Sequence, residues 1–195
     1  VHAQEGPTTA ACEDLAASLN LDATSITSAR PVTEGRFTPP NGQRALLDLP
    51  IFCRVELTIS PTSDSDIKTE VWLPIEEWNG KFLAVGNGGW AGSIQYGALA
   101  DGVRRNYATA STDGGHVNNN ASFAIGHPEK LIDFGYRAVH QTAVQGKATV
   151  AGLYGTAPSY SYFNGCSGGG RQSFMAAQRY PEDFDAIIAG APGYD

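Results

Sequence analysis

The sequence predicts an α/β fold with a mostly parallel sheet flanked by helices. Three observations carry that prediction. Short apolar runs at residues 82–85, 107–111, 160–164 and 186–189 each run into a glycine-containing turn, as buried strands emptying into loops do. Ile132, Tyr136, Val139, Ala143, Val150 and Leu153 recur at steps of three, four or seven, which marks one face of a long helix over 129–154. Strands alternating with helices through the second half are the pattern of crossover connections in a parallel sheet.

Taken in order, residues 1–11 carry no apolar pattern and read as frayed. Val1-His2-Ala3-Gln4 has the small-x-small ending of a secretory cleavage site, which points to a secreted or periplasmic protein; a fragment boundary is the alternative. Cys12-Glu13-Asp14-Leu15-Ala16-Ala17-Ser18-Leu19 is helix-like. Residues 52–60 and 67–73 alternate apolar and polar, with Pro61-Thr62-Ser63-Asp64-Ser65-Asp66 as the turn between two strands. The strand at 82–85 ends in Gly86-Asn87-Gly88-Gly89, and the strand at 107–111 ends in Asp113-Gly114-Gly115. The long helix follows, then the β-rich run Tyr160-Ser161-Tyr162-Phe163-Asn164. A helix over 171–180 is stopped by Pro181, and a last strand at 186–189 closes with Gly190-Ala191-Pro192. No stretch rich in Pro, Ser or charge divides the chain.

Composition excludes several classes. With 195 residues and 42% hydrophobic content, the chain is long and apolar enough for a sizeable core. Its formal charge of −7 opposes nucleic-acid binding, which needs a basic face. No apolar run approaches the roughly 18 residues of a membrane span, so no membrane partner is expected. Gly is the outlier at 23 residues, clustered at 86–92, 113–115 and 165–170, where it suits tight turns and close backbone approach.

The cysteines are Cys12, Cys53 and Cys166. An odd count in a secreted chain leaves one thiol free or paired elsewhere. A Cys12–Cys53 bridge would tie the N-terminal extension to the body; three reduced, buried thiols are the alternative.

Gly165-Cys166-Ser167-Gly168-Gly169 is a G-x-S-x-G match with a strand before it, a helix after it and another strand beyond. That is the context of a nucleophile elbow. A nucleophilic serine stands on a sharp turn at a sheet's end, and glycines two before and two after remove the Cβ atoms that would collide. Ser167 is therefore the expected nucleophile. The Gly168 N–H is one expected oxyanion donor, and an N–H of Gly88 or Gly89, on the loop after an earlier strand, is the other. A phosphate-cradling glycine loop is the competing reading, but no Lys stands at P-loop spacing. Trp90 beside the glycine loop is a packing residue or a cleft wall. Arg171 either steers a carboxylate or makes a structural pairing.

The run Tyr162-Phe163-Asn164-Gly165-Cys166-Ser167-Gly168-Gly169-Gly170-Arg171-Gln172 resembles the tannase and feruloyl esterase family. Residues 177–192, Trp78-Asn79-Gly80-Lys81-Phe82, the 86–89 loop and Ser111-Thr112-Asp113-Gly114-Gly115-His116 are similar to the same family, in collinear order. The resemblance implies an α/β-hydrolase fold with a lid later in the chain, a Ser-Asp-His triad, and esters of aromatic acids, galloyl or feruloyl in type, as small-molecule substrates. It implies that Cys166 pairs with a cysteine beside the catalytic His, and it matches Cys12 and Cys53 to an N-terminal bridge found in some members. It also implies a structural calcium carried by the lid. Gly168 departs from the family, where a larger residue, often Thr, is usual; a looser elbow is the expected consequence.

In this fold the acid and the His follow the serine, yet 28 residues follow Ser167. The chain is accordingly read as the N-terminal part of a single catalytic domain, cut before the last strands and the lid. Residues 1–60 would be the extension and first strands, and 61–195 the core up to the strand after the elbow. About six strands are expected, with an unpaired edge. The isolated segment is expected to be inactive, with no cofactor and no metal site of its own. The missing segment is a possible disulfide-linked second chain through Cys166. The alternatives are a compact serine hydrolase using His116 or His140 as an upstream base, and a non-catalytic truncated binding module.

Overall fold

The fold comes from a computed structural model that describes residues 6–40 and 42–193. Residues Val1 to Gln4, where the cleavage-site pattern lies, fall outside the described residues. In chain order the strands are β1 (Thr24–Val32), β2 (Phe52–Ile59), β3 (Ile67–Pro74), β4 (Lys81–Val85), β5 (Ala91–Gly92), β6 (Ala108–Thr112), β7 (Asn118–Asn119), β8 (Tyr160–Cys166) and β9 (Ala186–Gly190). The helices are α1 (Thr9–Ser18), α2 (Tyr96–Val103), α3 (Pro128–Ile132), α4 (Ala138–Tyr154) and α5 (Gly168–Arg179). A π-helical turn, Asp133–Arg137, joins α3 to α4 without a break, so the long helix read from periodicity carries one widened turn.

Among the described residues, seven strands form the main sheet in the order β1-β2-β3-β6-β4-β8-β9. The second half, β6-β4-β8-β9, is parallel as expected. The first half, β1-β2-β3 and the β3–β6 junction, is antiparallel, which makes the whole sheet mixed. The count exceeds the expected six because β1, with the weakly alternating sequence TSITSARPV, left little sequence signal. Residues 9–11 are also ordered rather than frayed: the Thr8 hydroxyl accepts from the Ala11 N–H and caps α1.

Two apolar layers cover the sheet. One face packs against α1, α4 and α5, through Leu15, Val139, Ala143, Val150 and Ala176 against Val55, Leu57, Val71, Phe82 and Ala84. The other packs α2 residues Leu99, Ala100 and Val103 against Phe52, Trp72 and Val85. Alternation along β4 places Phe82 and Ala84 in one layer and Leu83 and Val85 in the other, which is the period-2 signature of a strand buried on both faces. Cys12 and Cys53 form the disulfide, Cα to Cα 5.6 Å, and anchor α1 to β2.

The chain leaves β4 through α2 to reach β6 on one side, then returns through α4 to β8 on the other. The carboxyl ends of β4 and β8 therefore flank a topological switch point, where α/β sheets place their ligands.

Candidate active site

Ser167 sits between the last residue of β8 and the first of α5, with φ 59° and ψ −116°. A non-glycine residue in this region is strained, and such strain at a strand-to-helix turn is what a nucleophile elbow stores. The turn is pinned by the Ser167 N–H, which donates to the Gly190 carbonyl at 2.9 Å, and by the Arg171 N–H, which donates to the Ser167 carbonyl at 3.1 Å.

The surrounding glycines are required by space. A Cβ at Gly165 would collide with the Gly169 carbonyl and stand 2.9 Å from its Cα. A Cβ at Gly86 would stand 2.7 Å from Gly169 Cα and 3.2 Å from Gly165 Cα. So the loop after β4 and the elbow pack backbone against backbone. At Gly168 a Cβ would stand 2.7 Å from the Gly89 carbonyl oxygen and 2.9 Å from the Gly89 nitrogen. The glycine that departs from the family pattern leaves the 88–89 segment room to lie close against the elbow. Gly89 holds φ +54°, while a Cβ at Gly88 would meet nothing within 4 Å.

A pair of amides joins the two loops. The Asn87 N–H donates to Gln172 Oε1 at 2.9 Å, and Gln172 Nε2 donates to Asn87 Oδ1 at 3.0 Å. Asn87 Nδ2 also donates to the Ser93 and Thr112 carbonyls. Both residues are buried. The sequence does not reveal this clamp: each residue stands in a separate motif, and their pairing spans 85 positions and leaves no local trace.

A cavity of about 420 Å³ opens beside Ser167, lined by Gly89, Trp90, Leu131, Phe134, Gly168 and Arg171 among others. Trp90 is half exposed and stacks on Phe134, centroids 5.0 Å apart and planes 14° apart. It is both packing residue and cavity wall. Arg171 makes the structural pairing: Nη1 donates to the Gly135 carbonyl at 2.8 Å and Nη2 to the Phe134 carbonyl at 3.1 Å. Its guanidinium lies 4.6 Å from the Phe134 ring centre, and burial holds its pKa below the ordinary arginine value.

The three described histidines are engaged elsewhere. His116 Nε2 is 2.7 Å from the Trp90 carbonyl, and its ring stacks on Phe123 at 3.9 Å. Its Nδ1 is buried without a partner among the described residues. Asp113 Oδ1 accepts from the Lys68 and Gly115 N–H groups, so Asp113 and His116 fasten their loops separately. His140 Nδ1 is 2.8 Å from Asp183 Oδ2 and its ring stacks on Tyr180. The Asp183 carbonyl accepts from Ser161 Oγ at the start of β8. Ser161 lies six residues before Ser167, so this pair is near the opposite end of the strand, roughly 20 Å away. His127 pairs with Asp64 at an exposed site. Cys166 is a free, exposed thiol adjoining Ser167. Among the described residues no group of three or more His, Cys, Asp or Glu converges as a metal site, so the calcium implied by the resemblance has no ligand set among them.

A strained serine on a strand-to-helix turn, beside a glycine loop at the sheet's switch point, defines an α/β hydrolase. Residues 53–195 match the tannase and feruloyl esterase family, and the chain belongs to it. It is 52% identical over 186 residues to an uncharacterized esterase of Xanthomonas campestris, covering 94% of this chain and 32% of that protein. It is 41% identical over 143 residues to a "probable feruloyl esterase B-2" of Aspergillus fumigatus, covering 73% and 27%. The crystal structure of feruloyl esterase B from Aspergillus oryzae superposes with a TM-score of 0.90 at 35% identity, covering 95% of this chain and 37% of that one. Tannin acyl hydrolase from Aspergillus niger follows at 0.73 and 27%, covering 96% and 37%. The chain spans about a third of the length of these relatives. No described helix is long and apolar enough to cross a membrane.

Proposed function

We propose that this chain carries the nucleophile and oxyanion half of a serine-type carboxylic ester hydrolase acting on esters of aromatic acids, feruloyl or galloyl in type. The observation that carries the reading is Ser167 at φ 59°, ψ −116°, facing a cavity walled by Trp90 and Phe134.

Ser167 Oγ attacks the ester carbonyl, and its proton passes to a histidine base. The N–H groups of Gly168 and of Gly89 or Gly88 receive the oxyanion, with Gly89 favoured by its nitrogen's approach to Gly168. Collapse expels the alcohol and leaves an acyl-serine, which water cleaves to the free acid. The base and its acid partner are assigned, on the family resemblance, to chain following Ser167, with Cys166 bonded to a cysteine beside that His. No step above uses a metal. Residues 1–195 alone are inferred to be inactive, since the histidines among the described residues, His116, His127 and His140, are held by other partners. The Cys12–Cys53 bridge supports a secreted or periplasmic location, where disulfides persist.

The test is turnover of methyl ferulate and methyl gallate by the full-length protein and its Ser167→Ala variant. The variant should lose about 10⁴-fold or more in kcat. Turnover that survives the substitution would refute the serine mechanism.

A further inference from the structure

We propose that Arg171 is the positioning residue of the acyl pocket, holding Phe134 and through it Trp90 at the aromatic wall beside Ser167. This role rests on the esterase reading above and adds a residue to it.

The π turn Asp133–Arg137 departs from the α-helical hydrogen-bond pattern, and such turns present carbonyls that side-chain donors can reach. Arg171, four residues after Ser167 on α5, reaches two of its carbonyls, Phe134 and Gly135, with the two arms of one fork. The same guanidinium lies over the Phe134 ring at 4.6 Å. Phe134 in turn stacks on Trp90, which immediately follows Gly89. A single planar group thus couples the elbow helix to the cavity wall and to the residue next to the oxyanion loop. On the other side the turn is braced by Arg137, whose Nε donates to the fully buried Asp133 at 2.6 Å. Among the described residues Arg171 has no carboxylate partner; its contacts are those carbonyls and the ring. A lysine keeps the charge but lacks the fork and the flat face, so charge and geometry separate cleanly.

The experiment measures binding apart from chemistry. In the full-length protein carrying Ser167→Ala, the affinity for intact methyl ferulate, a neutral probe, is read by calorimetry with and without Arg171→Lys. Thermal unfolding of each variant is followed alongside. The expected result is about a tenfold weaker Kd for Arg171→Lys, a similar loss for Phe134→Leu, and no further loss in the double variant, because the two act as one unit. In the Ser167-containing protein, Arg171→Lys should lower the ratio of kcat/KM for methyl ferulate over p-nitrophenyl acetate by about tenfold. An affinity and a ratio within about twofold of the parent, or losses that add in the double variant, would overturn the role. The two readings fail differently. Absence of Ser167-dependent turnover with an Arg171-sensitive Kd sinks the esterase reading and keeps the pocket assignment; normal turnover with an unmoved Kd and ratio does the reverse.

Discussion

In the antiparallel half of the sheet, structure is held by side chains; at the strand ends of the parallel half, it is held by their absence. Around β2 and β3, Phe52 stacks on Trp72 at 4.5 Å and the disulfide clasps α1. The buried Glu70 carboxylate accepts from Arg54 Nε at 2.8 Å, Trp72 Nε1 at 2.9 Å and Tyr96 Oη at 2.9 Å. Around Ser167, by contrast, Gly86, Gly165, Gly168 and Gly169 let two loops touch through bare backbone. The apolar packing of the first arrangement tolerates exchange among side chains of similar size. The second tolerates almost none, because backbone has no rotamers with which to yield.

The largest effect should come from opening the disulfide. A Cys12→Ala/Cys53→Ala variant removes a closure spanning 41 residues and should lose about 4 kcal/mol in urea denaturation. Hydrogen exchange should rise in α1 and β1 while amides of α5 stay protected. Uniform loss of protection would break the division between the halves.

Next in size is a methyl group placed in the elbow. Gly165→Ala drives Cβ into the Gly169 backbone and should cost about 3 kcal/mol or more. Gly88→Ala, where a Cβ meets nothing within 4 Å, should stay within about 1 kcal/mol of the parent. Equal costs at the two positions would mean that close backbone approach is not what the elbow glycines supply.

A smaller effect is expected at the amide clamp. Gln172→Ala strands the buried Asn87 N–H and Oδ1 and should cost about 1–3 kcal/mol by denaturation. Gln172→Glu keeps the acceptor for the Asn87 N–H but sets a carboxylate oxygen against Asn87 Oδ1 in a buried site, so it should cost at least as much as the alanine. A loss below about 0.5 kcal/mol for the alanine variant would show that water replaces the clamp.

What could be read from the sequence follows the same division. The elbow was legible because glycines at fixed offsets around a serine have one compact physical explanation, and residues 165–169 carry it whole. The parallel strands were legible as apolar runs closed by glycine. The strand β1 was not, since an edge strand half exposed on both faces, with Pro31 inside it, has no clean alternation. The helix α2, YGALADGV, hid behind two glycines; Gly102 is there because a Cβ would strike the Thr109 side chain of the adjacent strand. The Arg171 fork and the Asn87–Gln172 clamp depend on residues brought together from distant positions, which no local pattern records.

The seam between the halves provides a test of a different kind, read from pH dependence. Asp113 closes the β3–β6 junction: its N–H donates to the Lys68 carbonyl at 2.9 Å, and its Oδ1 accepts from the Lys68 N–H at 3.0 Å and the Gly115 N–H at 2.8 Å. Burial pushes its pKa up to about 7, with Asp66 adding to the rise, against the backbone N–H bonds and Lys68, which favour the charged form. The unfolded chain releases this proton near pH 4, so between about pH 4 and 7 the folded state holds more protons than the unfolded one. The stabilisation is complete below pH 4 and is lost as pH rises through 7, with a slope of about 1.4 kcal/mol per pH unit from this group. Asp113→Asn keeps an Oδ1 acceptor for both N–H groups and cannot ionise. Its denaturation midpoint should therefore fall less steeply than the parent's from pH 4 to 7, and the two curves should diverge as pH rises, with the variant the more stable near pH 7. Parallel curves would show that the carboxylate is already charged at the seam, and that the junction between the two halves is held by an ion rather than by a buried neutral acid.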